Sequence, residues 1–267
     1  MTAAPPLIAF AHVGKSFDGG RGGERVLAVD DVSLEVAAGE FLAIVGGSGS
    51  GKTTLLRLAN RLIEADSGSI AIDGEDVRAA DPIQLRRRIG YVFQSGGLFP
   101  HMSVADNIGI TPRLQGIAAD EIAARVDELL DLVRLDRVQH RDRLPHELSG
   151  GQRQRVGVAR ALAAKPRIVL MDEPFGALDP LTRDALGDDY RDLHRKLGLT
   201  TVMITHDMTE AILLADRVAV MHGGKLLAQG TPAELSESAD AYVGEMLRTP
   251  RRQAERLQVL LPRDGAA

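Results

Sequence analysis

Apolar and polar residues along the chain fall into three patterns. Three short runs are apolar almost without a break: FLAIV (Phe41–Val45), RIVLMDE (Arg167–Glu173) and TTVMIT (Thr200–Thr205). Such runs have no wet face and predict strands buried on both sides, as in a parallel sheet. Other stretches alternate and predict half-exposed strands. These are LIAFAHVGKSF, ending at Phe17, and VLAVDDVSLEVAAGE, which reaches a turn at Gly39. GSIAIDGEDV predicts a hairpin around Asp73–Gly74, RIGYVFQ a further short strand, and RVAVMHGGKLLAQG a late hairpin. Helical spacing places Ile122, Val126, Leu129, Leu130 and Val133 on one face between Asp120 and Val133. Helices are also expected from Lys52 to about Leu62 and from Ser149 to about Ala164.

Strands that alternate with helices predict an α/β fold with a mostly parallel core sheet. The early and late hairpins predict an antiparallel annex, and residues of about 95–150 an inserted helical subdomain. DGGRGGER between the first two strands reads as a turn. One main domain is expected over 7–235. The tail at 236–267 carries no strong pattern beyond a short amphipathic helix or a frayed end.

Composition narrows the function. With 37 acidic and 32 basic residues the net charge is −5, which does not favour a nucleic-acid partner. No cysteine is present, which removes disulfides and thiolate metal sites. No apolar run approaches the roughly 20 residues that span a bilayer, and MTAAPPLIAF lacks the marks of a secretory signal. Only five of the basic residues are lysine, so a lysine at a demanding position is informative.

One such position is Lys52. GGSGSGKTT (Gly46, Gly47, Ser48, Gly49, Ser50, Gly51, Lys52, Thr53, Thr54) fits the phosphate-loop pattern G-x-x-x-x-G-K-[ST] between an apolar strand and a helix. Glycines let backbone N–H groups close on phosphate oxygens, the lysine brings a point charge to the β- and γ-phosphates, and Thr53 offers a hydroxyl to Mg²⁺. IVLMDE ends a buried strand in two carboxylates. Asp172 is placed to hold Mg²⁺ through water and Glu173 to polarise an attacking water. In LPHELSGGQRQRVGVARAL, Ser149 and Gln152 have capping-box spacing. That explains Ser149 and Gln152, but not the costly pair Gly150–Gly151. Small residues fit there if something approaches the backbone closely.

LSGGQ between a phosphate loop and LMDEP resembles the signature of the ATP-binding cassette family. The likeness runs from about residue 7 to 235. It implies a P-loop NTPase-type core and assigns further residues. Phe17 matches the aromatic position that stacks on adenine. Gln94 in YVFQ matches the glutamine that contacts Mg²⁺ and water. Asp179 in GALD matches the loop that crosses to a second subunit. His206 in ITHD matches the histidine that contacts the γ-phosphate. The implied cofactors are ATP and Mg²⁺.

The resemblance also implies partners. A second copy of the chain would pair head to tail, so that the signature of one covers the phosphate loop of the other. Integral membrane permease subunits would dock on the cytoplasmic side of the cell membrane, with a substrate-binding protein acting indirectly and no nucleic acid involved. The stretches LANRLIEADSGSIAIDG and IGYVFQSGGLFPHMSVADNI are most similar to importers of osmoprotectants and quaternary amines. An importer of another small solute, such as a polar amino acid or sulfonate, is the alternative, and a non-transport cassette ATPase a remote one.

Overall fold

A computed structural model of the protein describes residues 5–18, 25–94, 96–176 and 178–260. The glycine-rich turn expected over 18–25 and the end of the tail at 261–267 lie largely or wholly outside these described residues. The strands are β1 (Ile8–Phe17), β2 (Val26–Val36), β3 (Phe41–Val45), β4 (Ser67–Ile72), β5 (Glu75–Asp76), β6 (Ile89–Val92), β7 (Ile168–Asp172), β8 (Thr200–Thr205), β9 (Arg217–His222) and β10 (Lys225–Gly230). The helices are α1 (Lys52–Ala59), α2 (Pro82–Arg88), α3 (Val104–Leu114), α4 (Ala119–Leu132), α5 (Arg137–His140), α6 (Gly150–Leu162), α7 (Pro180–Leu197), α8 (Met208–Leu214), α9 (Pro232–Ser236) and α10 (Ala241–Leu260).

The larger sheet has the order β10-β9-β3-β8-β7-β6, and its strands are parallel except for β10. Every residue of β3, β7 and β8 is buried. Alternate side chains of these strands enter different cores. Phe41, Ala43, Val45, Val169 and Met171 face one cluster, while Leu42, Ile44, Ile168 and Leu170 face the other. A strand with core on both sides has no polar face to show, which is why its sequence does not alternate. Each buried aliphatic side chain contributes about 1.5–3 kcal/mol, so these five- and six-residue strands anchor the sheet.

The smaller sheet, β2-β1-β4-β5, is antiparallel and forms the annex. The late hairpin does not belong to it, contrary to the sequence expectation. β9 pairs in parallel with β3, and β10 closes the edge of the larger sheet. The cause is the burial of Val218–Met221, whose apolar run needs core on both faces.

The helical region holds α3, α4, α5 and a single 3₁₀ turn at Pro145–Glu147. Ile122, Val126, Leu129, Leu130 and Val133 are all buried, as their spacing predicts. Buried Asn107 ties down the entry loop: its amide donates to the carbonyls of Phe99, Met102 and Ser103, and its oxygen accepts from Phe99 N. α1 ends at Ala59 and α6 at Leu162, each slightly earlier than expected. The tail forms the 20-residue α10, and Val243 on it is fully buried in the main core. No described helix is long and apolar enough to cross a membrane.

Candidate active site

Parallel pairing brings the C-terminal ends of β3, β6, β7 and β8 to one edge of the sheet. The register sets Val45 beside Thr205, Asp172 beside Ile204, and Val92 beside Met171. The loops that follow carry Gly46–Gly51, Gln94, Glu173 and His206. Ligands bind at this edge in open α/β sheets.

The phosphate loop is packed too closely at two points for any side chain. A Cβ on Gly46 would lie 2.2 Å from the Met221 carbonyl oxygen, and one on Gly51 would lie 2.1 Å from that of Ala28. Gly51 also has φ +97°, which favours glycine. It precedes α1 as its N-cap, and no side chain caps that helix. The first N–H groups of α1 therefore lack the side-chain acceptor that most helices carry, and with the helix dipole they suit a phosphate. Ser48 and Gly49 are exposed, and among the described residues nothing lies within 4 Å of the Gly49 Cβ position. Ser50 is buried, and Thr54 follows half-buried on α1.

Buried Lys52 turns its amine back into the loop. Nζ donates to Gly46 O at 2.8 Å, Gly47 O at 3.0 Å and Ser50 Oγ at 3.4 Å. Burial lowers its pKa, and the charges of Glu173 and Asp172 oppose that shift. The neighbouring Thr53 Oγ1 donates to Asp172 Oδ1 at 3.1 Å. Asp172 is 5% exposed, and burial raises its pKa while the Thr53 hydrogen bond pulls it back down. A carboxylate short of solvation beside a hydroxyl suits a hard divalent cation. Among the described residues no group of three or more His, Cys, Asp or Glu side chains forms a metal cage. A cation here would take its remaining ligands from phosphate and water. The loop and this pair thus fit ATP with Mg²⁺.

Glu173 leaves β7 with φ +48°, a left-handed conformation that a non-glycine residue adopts at some energetic cost. Its amide donates to Ile204 O at 3.0 Å, which fixes the bend. Gln94 Nε2 donates to Glu173 Oε2 at 2.9 Å, and His206 Nδ1 lies 3.4 Å from the same oxygen. Asp207 caps α8 just beyond, accepting from Thr209 N and Glu210 N.

The remaining sequence-predicted residues stand apart from this cluster. Ser149 caps α6, and its capping box with Gln152 is complete in both directions. Among the described residues no hydrogen bond joins Ser149–Gln152 to the phosphate loop. A Cβ on Gly151 would meet Leu178 Cδ2 at 3.0 Å, which is a packing reason for that glycine. Among the described residues Gly150 has no such neighbour: the nearest atom to its Cβ position is Arg153 Nη2 at 3.9 Å. Asp179 caps α7 by accepting from Thr182 N at 3.0 Å. Phe17 is 42% exposed at the end of β1, with Lys15 Nζ 5.5 Å from its ring centroid. One contact was not foreseen from sequence: Gly47 N donates to Tyr242 Oη, on α10, at 3.2 Å. The apolar spacing of Tyr242, Val243, Met246 and Leu247 is a helix signal, but it does not foretell that contact.

The chain is similar to proteins of known function. The family profile described as ABC transporter matches residues 29–176. The chain is 46% identical over 263 residues to the glycine betaine/carnitine/choline transport ATP-binding protein OpuCA of Bacillus subtilis (strain 168), covering 96% of this chain and 68% of that protein. It is 50% identical over 238 residues to the glycine betaine uptake system ATP-binding protein YehX of Escherichia coli (strain K12), covering 89% and 75% respectively. Among solved structures it is similar to the dimeric post-hydrolysis state of the ATP-binding cassette MJ0796 bound to ADP and Pi. The TM-score is 0.78 at 31% identity, over 84% of this chain and 98% of that one.

Proposed function

The chain belongs to the ABC transporter family, and from that premise we propose that it is the ATP-hydrolysing, energy-coupling subunit of an importer for osmoprotectants such as glycine betaine or choline. The observation that carries the hydrolytic reading is the convergence of Gln94 and His206 on one oxygen of Glu173, beside the Thr53–Asp172 pair.

The Gly46–Thr54 loop and the uncapped start of α1 bind the phosphates, and Phe17 stacks on adenine. Lys52 brings its charge to the β- and γ-phosphates. Thr53, Asp172 and Gln94 would hold Mg²⁺, which would draw charge from the phosphate oxygens. Glu173 accepts a hydrogen bond from water and turns the oxygen lone pair towards the γ-phosphorus. His206 steadies Glu173 and contacts the γ-phosphate.

A second copy completes each site. Ser149–Gln152 of one copy close over the phosphate loop of the other, and Asp179 lies at the crossing. The open space at Gly150 supports that reading, since among the described residues nothing crowds a side chain there. The dimeric state of the similar cassette supports it too. Residues 7–235 form the cassette and 236–267 its tail. Closure is passed to integral permease subunits through the surface around Gln94, which puts the chain on the cytoplasmic side of the membrane. A binding protein delivers the cargo.

The names of the relatives support the cargo, as their ATP-binding subunits serve glycine betaine, carnitine and choline uptake. The test is ATP hydrolysis by the chain assembled with its permease and binding protein. Glycine betaine or choline should stimulate it. Stimulation by a polar amino acid or sulfonate, with none by quaternary amines, overturns the cargo.

A further inference from the structure

The Gly46–Gly47 peptide is hydrogen-bonded at both ends. Its carbonyl accepts from Lys52 Nζ at 2.8 Å, and its N–H donates to Tyr242 Oη at 3.2 Å. Hydrogen bonds at the two ends of one amide polarise each other, so each strengthens the other. Gly47 O accepts from the same lysine amine at 3.0 Å. The tail hydroxyl is thus one peptide away from the buried charge that meets phosphate.

Tyr242 is held firmly enough to do this. Asp240 Oδ1 accepts from Tyr242 N at 2.9 Å and Val243 N at 3.1 Å, and Asp240 O accepts from Gly244 N. Val243 is fully buried, with Met246 and Leu247 packed against the same core. The Tyr242 ring lies 4.2 Å from that of His222, at the end of β9. The preceding residue, Met221, provides the carbonyl against which Gly46 rests. α10 also packs on α8, which begins two residues after His206.

We infer that Tyr242 is a positioning residue for the phosphate loop, by which the tail sets the Gly46–Gly47 peptide and through it Lys52. This rests on the reading of Gly46–Thr54 as the nucleotide cradle. It gives α10 a part in nucleotide affinity, and by linkage makes the tail respond to nucleotide.

Tyr242→Phe removes the hydroxyl and keeps the ring on His222. The affinity of the full chain for a fluorescent ATP analogue should fall about two- to tenfold, the range spanned by one lost hydrogen bond. In the assembled transporter the loss should appear in KM for ATP more than in kcat. A purely structural role for the tail would instead lower the unfolding midpoint and leave affinity alone. The analogue should slow tryptic cleavage at Arg248 in the parent, and less so in Tyr242→Phe. Parent-like affinity in a folded Tyr242→Phe overturns the inference. If the parent itself binds no nucleotide, the cradle reading fails, and this inference with it. Exchange of the Gly47 amide in nucleotide-free protein then still shows whether the Tyr242 contact exists, by being faster in Tyr242→Phe.

Discussion

Gln94 and Glu173, 79 residues apart in the chain, are joined by a 2.9 Å hydrogen bond from Nε2 to Oε2. His206 approaches the same oxygen at 3.4 Å. One carboxylate is therefore oriented from two other loops, with Oε1 engaged in neither contact. Glu173→Gln keeps the shape of the side chain but loses its negative charge. Hydrolysis should slow by about 10²–10⁴-fold while ATP still binds. Single-turnover kinetics and size exclusion in ATP should show a trapped, dimeric, ATP-bound state. Turnover at the parent rate would remove Glu173 from the water-orienting role.

The two loop glycines Gly49 and Gly51 separate backbone strain from crowding. Both have positive φ, but among the described residues only Gly51 has a neighbour, the Ala28 carbonyl, in the way of a Cβ. Gly49→Ala should cost about 1–2 kcal/mol, the penalty for an L-residue in the left-handed region. Gly51→Ala should cost that and a further ~1–3 kcal/mol for the clash. Urea unfolding of the two variants measures the difference, and equal losses would contradict the close approach of β2 to the loop.

Acid should weaken the fold through His194. It is 3% exposed, its Nδ1 lies 3.1 Å from Thr201 Oγ1, and its ring stacks obliquely on Phe41 at 5.1 Å. Burial lowers its pKa from the ordinary histidine value. The unfolded chain then takes up a proton at a pH where the folded chain does not. This contribution to stability is intact above the unfolded value of about 6.5. It declines as pH falls below that value, by at most about 1.4 kcal/mol per unit, and levels off below the folded value. His194→Phe should flatten this part of a pH series of urea unfolding curves. An unchanged slope would assign the acid sensitivity elsewhere.

What the sequence discloses depends on how local the physics is. β3, β7 and β8 are readable because burial on both faces leaves a continuous apolar run, and α4 because one buried stripe repeats at helical spacing. The partner of β9 is not readable from its turn, although its apolar run Val218–Met221 marks it as buried on both faces. Its turn with β10 has the same chemistry whether the hairpin joins the annex or lies beside β3. The site residues stand out by type and spacing, as Lys52, Thr53, Asp172 and Glu173 do. Their mutual geometry does not, since the Gln94–Glu173 bond depends on the parallel pairing of β6 with β7. The Gly47–Tyr242 bond spans 195 residues and leaves no local trace.

The central claim is that each hydrolytic site is built from two copies of the chain, and complementation tests it most directly. On that claim Lys52→Ala would break the phosphate loop and Ser149→Arg would block the signature, so each homodimer would have two dead sites. In a mixed dimer one site carries both defects. The other joins the intact loop of the Ser149→Arg copy to the intact signature of the Lys52→Ala copy. Random pairing makes half the dimers mixed, so at most about a quarter of all sites are whole. Coupling between sites can lower the yield, so the direction of the change decides the matter. Mixing should raise hydrolysis above that of either parent variant. Mixed dimers shown to form, with activity no higher than either variant alone, would mean that Ser149–Gln152 do not reach the ATP of the second copy.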